Sequence, residues 1–86
     1  MKKNELAMAE FLEALKAPQS RRILDNLALK DMSIEHLIKC TKLSKNSIHL
    51  HLQPLIKAKL VTKRRNGLLK FNKKKFDESS SWFRLF

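Results

Sequence analysis

Residues 43–67 read LSKNSIHLHLQPLIKAKLVTKRRNG, and two different periods run through them. In the first part Ile48, Leu52 and Leu55 recur at i, i+4 and i+7, the spacing that gathers apolar side chains on one face of an α-helix. Ser44 stands just ahead of them, where a side-chain oxygen can accept the first free backbone N–H groups of a helix. A helix over residues 44–58 is therefore expected. Pro54 lies well inside it. Proline removes one backbone bond and crowds the carbonyl of Leu50, so a kink or an early end of regular helix is expected there. Then the period changes. Residues 60–65 and 68–72 flank Asn66-Gly67, a pair suited to a two-residue hairpin turn in which both central positions need positive φ. The stretch thus predicts a helix followed at once by a β-hairpin.

The same logic extends outward. Upstream, Ser33 is an N-cap for a short helix with Ile34, Leu37 and Ile38 on its inner face, ending near Thr41 and Lys42. Pro18 suits the first turn of a helix over residues 18–30 that buries Ile23, Leu24 and Leu27. Residues 4–16 carry Leu6, Ala9, Phe11, Leu12 and Leu15 at roughly helical spacing. Downstream, residues 76–86 are expected to form a short terminal helix holding Trp82, Phe83, Leu85 and Phe86. The expected fold is mainly α with a small β-hairpin. At 86 residues and 43% apolar content the chain suffices for one core and is too short for two, so residues 1–86 are expected to form a single domain.

Composition removes several function classes. The only glycine is Gly67, which leaves no Gly-rich phosphate loop. The only cysteine is Cys40, which leaves no internal disulfide and no Cys-rich zinc site. No apolar run approaches the roughly 20 residues of a membrane span. Lys2 and Lys3 are followed by Glu5, Glu10 and Glu13, unlike a signal peptide, and a reducing cytoplasm is the expected location.

Charge is unevenly distributed. Net charge is +11, and residues 32–76 hold twelve basic side chains against one acidic. The densest run, residues 63–76, has seven basic side chains and no acid. Solubility does not require such segregation, and a membrane-surface helix would pair its lysines with a large apolar face. A polyanion such as nucleic acid fits the pattern better.

Two short helices meeting at a tight turn near Leu43, followed by a hairpin, make a winged helix-turn-helix. In that arrangement the first helix braces across the DNA backbone and the second puts its N-terminal side chains into the major groove. The inner face must be apolar to pack, as Ile48, Leu52 and Leu55 are. The outer face must offer donors and acceptors at base-edge reach, as Lys45, Asn46, Ser47, His49 and Gln53 do. The hairpin, spanning residues 61–72, places Lys63, Arg64, Arg65 and Asn66 where they reach phosphates or the minor groove.

These residues resemble a family. Residues 14–24, ALKAPQSRRIL, are similar to the "ALADPTRRRIL" opening of the ArsR/SmtB winged-helix repressors. Residues 43–52, LSKNSIHLHL, are similar to that family's recognition helix, roughly "LSQSTVSHHL". Leu55, Ala58, Leu60 and Val61 continue it without a gap, and Arg64-Arg65-Asn66-Gly67 falls at the family's wing turn. The resemblance covers about residues 12–67. It implies a dimeric DNA-binding regulator, most often a repressor released by a metal or another signal.

The departures are as informative. Family members that sense metal place two cysteines near the start of the third helix, where Ser33 and Glu35 stand here. The other common site uses Asp, His and Glu ligands on a long terminal helix, and here only Asp77 and Glu78 are present. No metal or other cofactor is therefore expected. Glycine, usual at position 59, is replaced by Lys59. A basic residue, frequent at position 50, is replaced by Leu50, which would either meet a thymine methyl or pack. The second wing strand stands about one residue out of the family's register.

The remaining chemistry-bearing residues have structural readings. His49 and His51 are two apart and point to different helix faces, unlike a metal-binding i, i+4 pair; His49 is expected at DNA and His51 against a neighbouring helix. Cys40 is expected to be a small buried hydrophobe, with an inter-subunit disulfide as the sharper alternative. Ser44 and Ser47 have no His-Asp partner to activate them, and no catalytic constellation or small-molecule substrate is expected. The apolar tail (Trp82, Phe83 and Phe86) together with Leu6 and Phe11 of the first helix is expected to form a homodimer seam, with closure of the chain's own core as the alternative. The expected partner is double-stranded DNA, read sequence-specifically. A nonspecific architectural DNA binder and a winged-helix protein-interaction module are the competing readings.

Overall fold

Ser33 and Ser44 open the two helices of the motif as their sequence positions require. In the computed structural model, which describes residues 2–81, Ser33 Oγ accepts from the His36 N–H and Ser44 Oγ from the Ser47 N–H, both at 3.1 Å. Both serines are extended, so each chain entry turns sharply into its helix. The helices are α3 (Ile34–Thr41) and α4 (Lys45–Lys57), preceded by α1 (Lys2–Leu15) and α2 (Pro18–Leu29). β1 (Val61–Lys63), β2 (Leu69–Phe71) and α5 (Lys73–Ser80) follow. A helix pair with a tight turn and an antiparallel hairpin directly after it is a winged helix-turn-helix.

The turn between α3 and α4 is three residues long, and Thr41 organises it. Its buried hydroxyl donates to the Leu37 carbonyl at 2.7 Å and accepts from the Leu43 N–H at 3.2 Å. Lys42 closes α3 in the left-handed conformation (φ 64°), with its N–H on the Ile38 carbonyl at 2.9 Å. Arg22 Nη1 donates to the Thr41 carbonyl at 3.2 Å, tying α2 to the turn.

Pro54 does not end α4 early, because it removes a single donor while the bonds beyond it are made. Ala58 N–H reaches the Pro54 carbonyl at 2.9 Å. Lys59 N–H then reaches Ile56 and Leu60 N–H reaches Leu55, each at 2.9 Å. This paired closure, with Lys59 left-handed at φ 63°, is a Schellman motif, and Leu55 and Leu60 are both fully buried beneath it. An L-residue is strained at that φ, and glycine is not. Lys59→Gly is therefore expected to raise stability by about 0.5–1 kcal/mol, net of the greater freedom of glycine in the unfolded chain. Thermal unfolding at fixed protein concentration checks this; a lowered midpoint would show that Lys59 is not strained.

The hairpin departs from its expected turn. Val61 pairs with Phe71, Thr62 with Lys70 and Lys63 with Leu69, and Arg64 N–H bonds the Leu68 carbonyl at 2.8 Å. The loop is thus three residues, 65–67, and only Gly67 has positive φ (83°); Asn66 does not. Gly67 N–H returns to the Arg64 carbonyl at 3.0 Å, and Asn66 Oδ1 accepts from the Leu68 N–H at 3.1 Å. The reason is register. A two-residue Asn66-Gly67 turn would pair Arg65 with Leu68 and send Val61 and Leu69 to opposite faces. The observed register puts Val61, Leu69 and Phe71 on one face, against the core.

A further bridge joins the wing to the rest of the fold. Met32 and Leu69 exchange both backbone bonds, at 3.1 and 2.8 Å, so the residue before the Ser33 cap of α3 extends the hairpin edge. Asn72 fastens the other end. Its Oδ1 caps α5 through the Lys75 N–H at 3.1 Å, while its Nδ2 and N–H bond the carbonyls of Lys59 and Leu60 at 3.1 and 2.8 Å. α5 consequently starts at Lys73, ahead of the terminal helix expected from residue 76.

The core collects the expected inner faces: Ile23, Leu24 and Leu27 of α2, Leu37 of α3, and Ile48, Leu52 and Leu55 of α4. α1 behaves differently. Phe11 is only 5% exposed and, contrary to the expected dimer role, belongs to the protomer's own core. Its ring meets Phe76 edge-on at 5.7 Å, and Phe76 meets Phe71 at 5.6 Å, so α1, β2 and α5 share one aromatic cluster. Leu6 and Leu12 remain 62% and 53% exposed. Trp82, Phe83 and Phe86 lie outside the described residues.

Candidate nucleic-acid interface

α4 presents two opposite faces. Ile48, Leu52 and Leu55 are buried. At 3.6 residues per turn, Asn46, Leu50, Gln53 and Lys57 lie diametrically across from them, and all four are exposed. Lys45 and His49 are also exposed, on the flank of that face. The structure therefore brings Lys45, Asn46, His49 and Gln53 together on one accessible surface.

Ser47 is placed otherwise. It is half-buried, with Oγ 3.4 Å from His51 Nδ1. His51 Nδ1 lies 2.7 Å from the Ser47 carbonyl, which can only accept, so the Nδ1 proton is committed to that bond. His51 is half-buried in a groove shared with Glu13, Lys16, Ser20 and Leu50, between α4 and the α1–α2 corner. Both bonds lie within α4 itself, so Ser47 and His51 stand together on its rear flank, apart from the outward face.

At the wing, Lys63, Arg64, Arg65 and Asn66 are all exposed. They are not equivalent. Arg64 Nη1 forms an ion pair with Asp31 Oδ2 at 2.9 Å, with 51% and 29% of the two side chains exposed. Asn66 spends its Oδ1 on the turn. Lys63 and Arg65 have no hydrogen-bond or ion-pair partner among the described residues, and so are the free cations of the tip. Asp31 sits next to the Met32 bridge, so the pair ties the wing tip to the loop before α3.

Such a half-exposed pair contributes about 0–1 kcal/mol to stability. It also masks one wing charge. Asp31→Asn is expected to leave stability within about 1 kcal/mol and to tighten binding to any duplex at low salt, with a salt slope up to about one unit steeper. Fluorescence anisotropy across a salt series checks it; an unchanged slope would mean that Arg64 is not near DNA.

Lys57 was not among the residues expected on the outward face, and Leu50 stood there only as one of two alternatives, although the signal for both was present. Positions 46, 50, 53 and 57 follow i, i+4, i+7 and i+11, the same period that marks the inner face. Arg64's partner had no sequence signal, because Asp31 lies 33 residues away. Cys40 is exposed on α3, not buried as expected, because α3 turns Leu37 and Thr41 inward instead. Among the described residues no group of three His, Cys, Asp or Glu side chains could hold a metal ion, and no helix is long and apolar enough to cross a membrane.

Compared by sequence, the chain matches no family model and no curated protein. Solved structures do match. An ArsR family transcriptional regulator is 18% identical, with a TM-score of 0.78 over 91% of this chain and 89% of that one. HlyU from Vibrio cholerae is 22% identical, with a TM-score of 0.76 over 100% of this chain and 98% of that one. A protein described as a possible transcriptional regulator for arsenical resistance is 26% identical, with a TM-score of 0.74 over 87% and 81% of the two chains. Both the helix order and the hairpin of this chain are thus shared with regulators across nearly their full length.

Proposed function

We propose that this chain, whose fold is the ArsR-like winged helix-turn-helix, is a sequence-specific double-stranded DNA-binding regulator of transcription that acts as a homodimer. The observation that carries the reading is the outward face of α4, where Asn46, His49 and Gln53 are exposed beside the basic wing. Asn and Gln match the N6 and N7 of adenine, and Lys45 matches guanine or a phosphate. α4 enters the major groove by this face, and α3 crosses the backbone. Lys63 and Arg65 neutralise phosphates beside it, which holds the register without reading sequence.

Dimerisation follows from surface left over by folding. α1 exposes Leu6 and Leu12, two large apolar side chains that contribute nothing to the protomer core. Pairing α1 with a second copy, together with the tail residues Trp82, Phe83 and Phe86, removes them from water. Two recognition helices about 34 Å apart then meet successive major grooves of a pseudo-palindromic site. A dimer seated over a promoter blocks polymerase, so repression is the expected outcome. The wing and α5 contain no catalytic constellation among the described residues, and the family resemblance points away from an enzyme.

Anisotropy with duplex from upstream of the protein's own gene and a scrambled control, over a salt series, tests the reading. A large specificity ratio with a steep salt slope supports it. Equal salt-sensitive affinities would replace it with an architectural DNA binder. Negligible affinity for either at moderate salt would point instead to a protein partner.

A further inference from the structure

Leu50 is 63% exposed, in the middle of a face otherwise made of polar side chains. It sits one turn after Asn46 and about one turn before Gln53, with Lys57 beyond. The core side of α4 is filled by Ile48, Leu52 and Leu55; Leu50 lies outside that core, on the rim of the groove it shares with His51, Glu13 and Lys16, with most of its surface in water. Of the two roles open to it from the sequence, packing into the protomer core is therefore not the one it takes. A single exposed leucine is ordinary on a protein surface, but on the face that α4 turns to DNA in the reading above this one would meet an apolar group of the duplex. The major-groove edges of the four base pairs offer one such group, the C5-methyl of thymine.

We propose that Leu50 is a specificity-determining residue that reads a thymine methyl at the centre of each half-site; this rests on the DNA-binding reading above. Its neighbours fit that role. Asn46 and Gln53 each match adenine through N6 and N7, and every adenine brings a thymine methyl to the same groove edge. Leu50, flanked by two adenine-reading side chains, thus faces a stretch of A·T pairs in which methyl groups are dense. Leu50 has no hydrogen-bonding atom beyond Cβ, so it distinguishes thymine from cytosine and from uracil by apolar contact alone. The expected discrimination is that of one buried methyl, about fourfold in affinity.

The test starts from a duplex enriched by the wild-type protein from a randomised library. Thymines in that duplex are replaced one at a time by uracil, which removes only the methyl group. Wild type is expected to bind about fourfold more weakly at one thymine per half-site and equally elsewhere. Leu50→Ala is expected to keep the wild-type melting temperature, to lose affinity for the thymine duplex, and to become indifferent to uracil at that position. Leu50→Met, which keeps an apolar side chain, is expected to retain most of the discrimination. Equal binding of thymine and uracil forms at every position by wild type, or undiminished discrimination in Leu50→Ala, overturns the proposal. Failure to enrich any duplex overturns the DNA-binding reading itself, whereas an enriched duplex without methyl discrimination removes only the role of Leu50.

Discussion

Leu55→Ala is expected to lower the unfolding free energy by about 2–5 kcal/mol. Leu55 is fully buried at the last turn of α4, and its carbonyl accepts the Leu60 N–H that closes the helix. Truncation leaves a cavity where α4, the start of the wing and the rest of the core converge. The backbone there is fixed on both sides, by the Schellman closure and by Asn72 on the Lys59 and Leu60 carbonyls, so little relaxation is available. Marginal stability makes this large. An 86-residue domain has about 4–13 kcal/mol in total, so one substitution removes a substantial fraction. Urea unfolding followed by circular dichroism, at one protein concentration to hold any dimer linkage constant, measures it. A change below about 1 kcal/mol would mean that α4 does not pack through this face, and the outward face built on it would then be misassigned.

Asn46→Ala and Arg65→Ala are expected to weaken DNA binding in two different ways. Both residues are exposed and make no hydrogen bond to another part of the protein among the described residues, so neither change should disturb the fold. Asn46 stands in the first turn of α4, where the proposed complex would bring its side chain to a base edge. Its loss should cost about 1–3 kcal/mol at one base position and leave the preference elsewhere intact. Arg65 stands at the wing tip, where the proposed complex would set it against phosphate. Its loss should weaken all duplexes alike and flatten the salt slope by about one unit. Binding both variants to a panel of single-base operator changes over a salt series separates the effects. Indistinguishable profiles would refute the division between base reading on α4 and backbone contact at the wing.

The legibility of the site in the sequence was uneven for a physical reason. Caps and helical periods are short-range: Ser33, Ser44 and Pro18 act on groups within four residues, so the openings of α2, α3 and α4 were readable locally. The outward position of Asn46 and Gln53 followed from the inward position of Ile48 and Leu52 by the same period. Ser47 stands half-buried on the flank of α4 beside His51, one turn on, and so apart from the outward face. Leu50 carried two readings, a thymine methyl or packing, and only the folded chain shows it 63% exposed and outside the core cluster.

The sequence by itself determined the element types, their order and the segregation of charge, because each depends on neighbours along the chain. Tertiary structure decided which way the ambiguous residues face. Phe11 turned inward because Phe76 and Phe71 supply an aromatic pocket for it from distant segments. The hairpin gave up the two-residue turn its Asn-Gly pair favours, because only the three-residue loop puts Val61 and Leu69 on the same buried face. The Met32 bridge and the Arg64–Asp31 pair likewise join residues more than thirty positions apart. Burial energy from such distant contacts outweighs a local turn preference, and no local pattern encodes it.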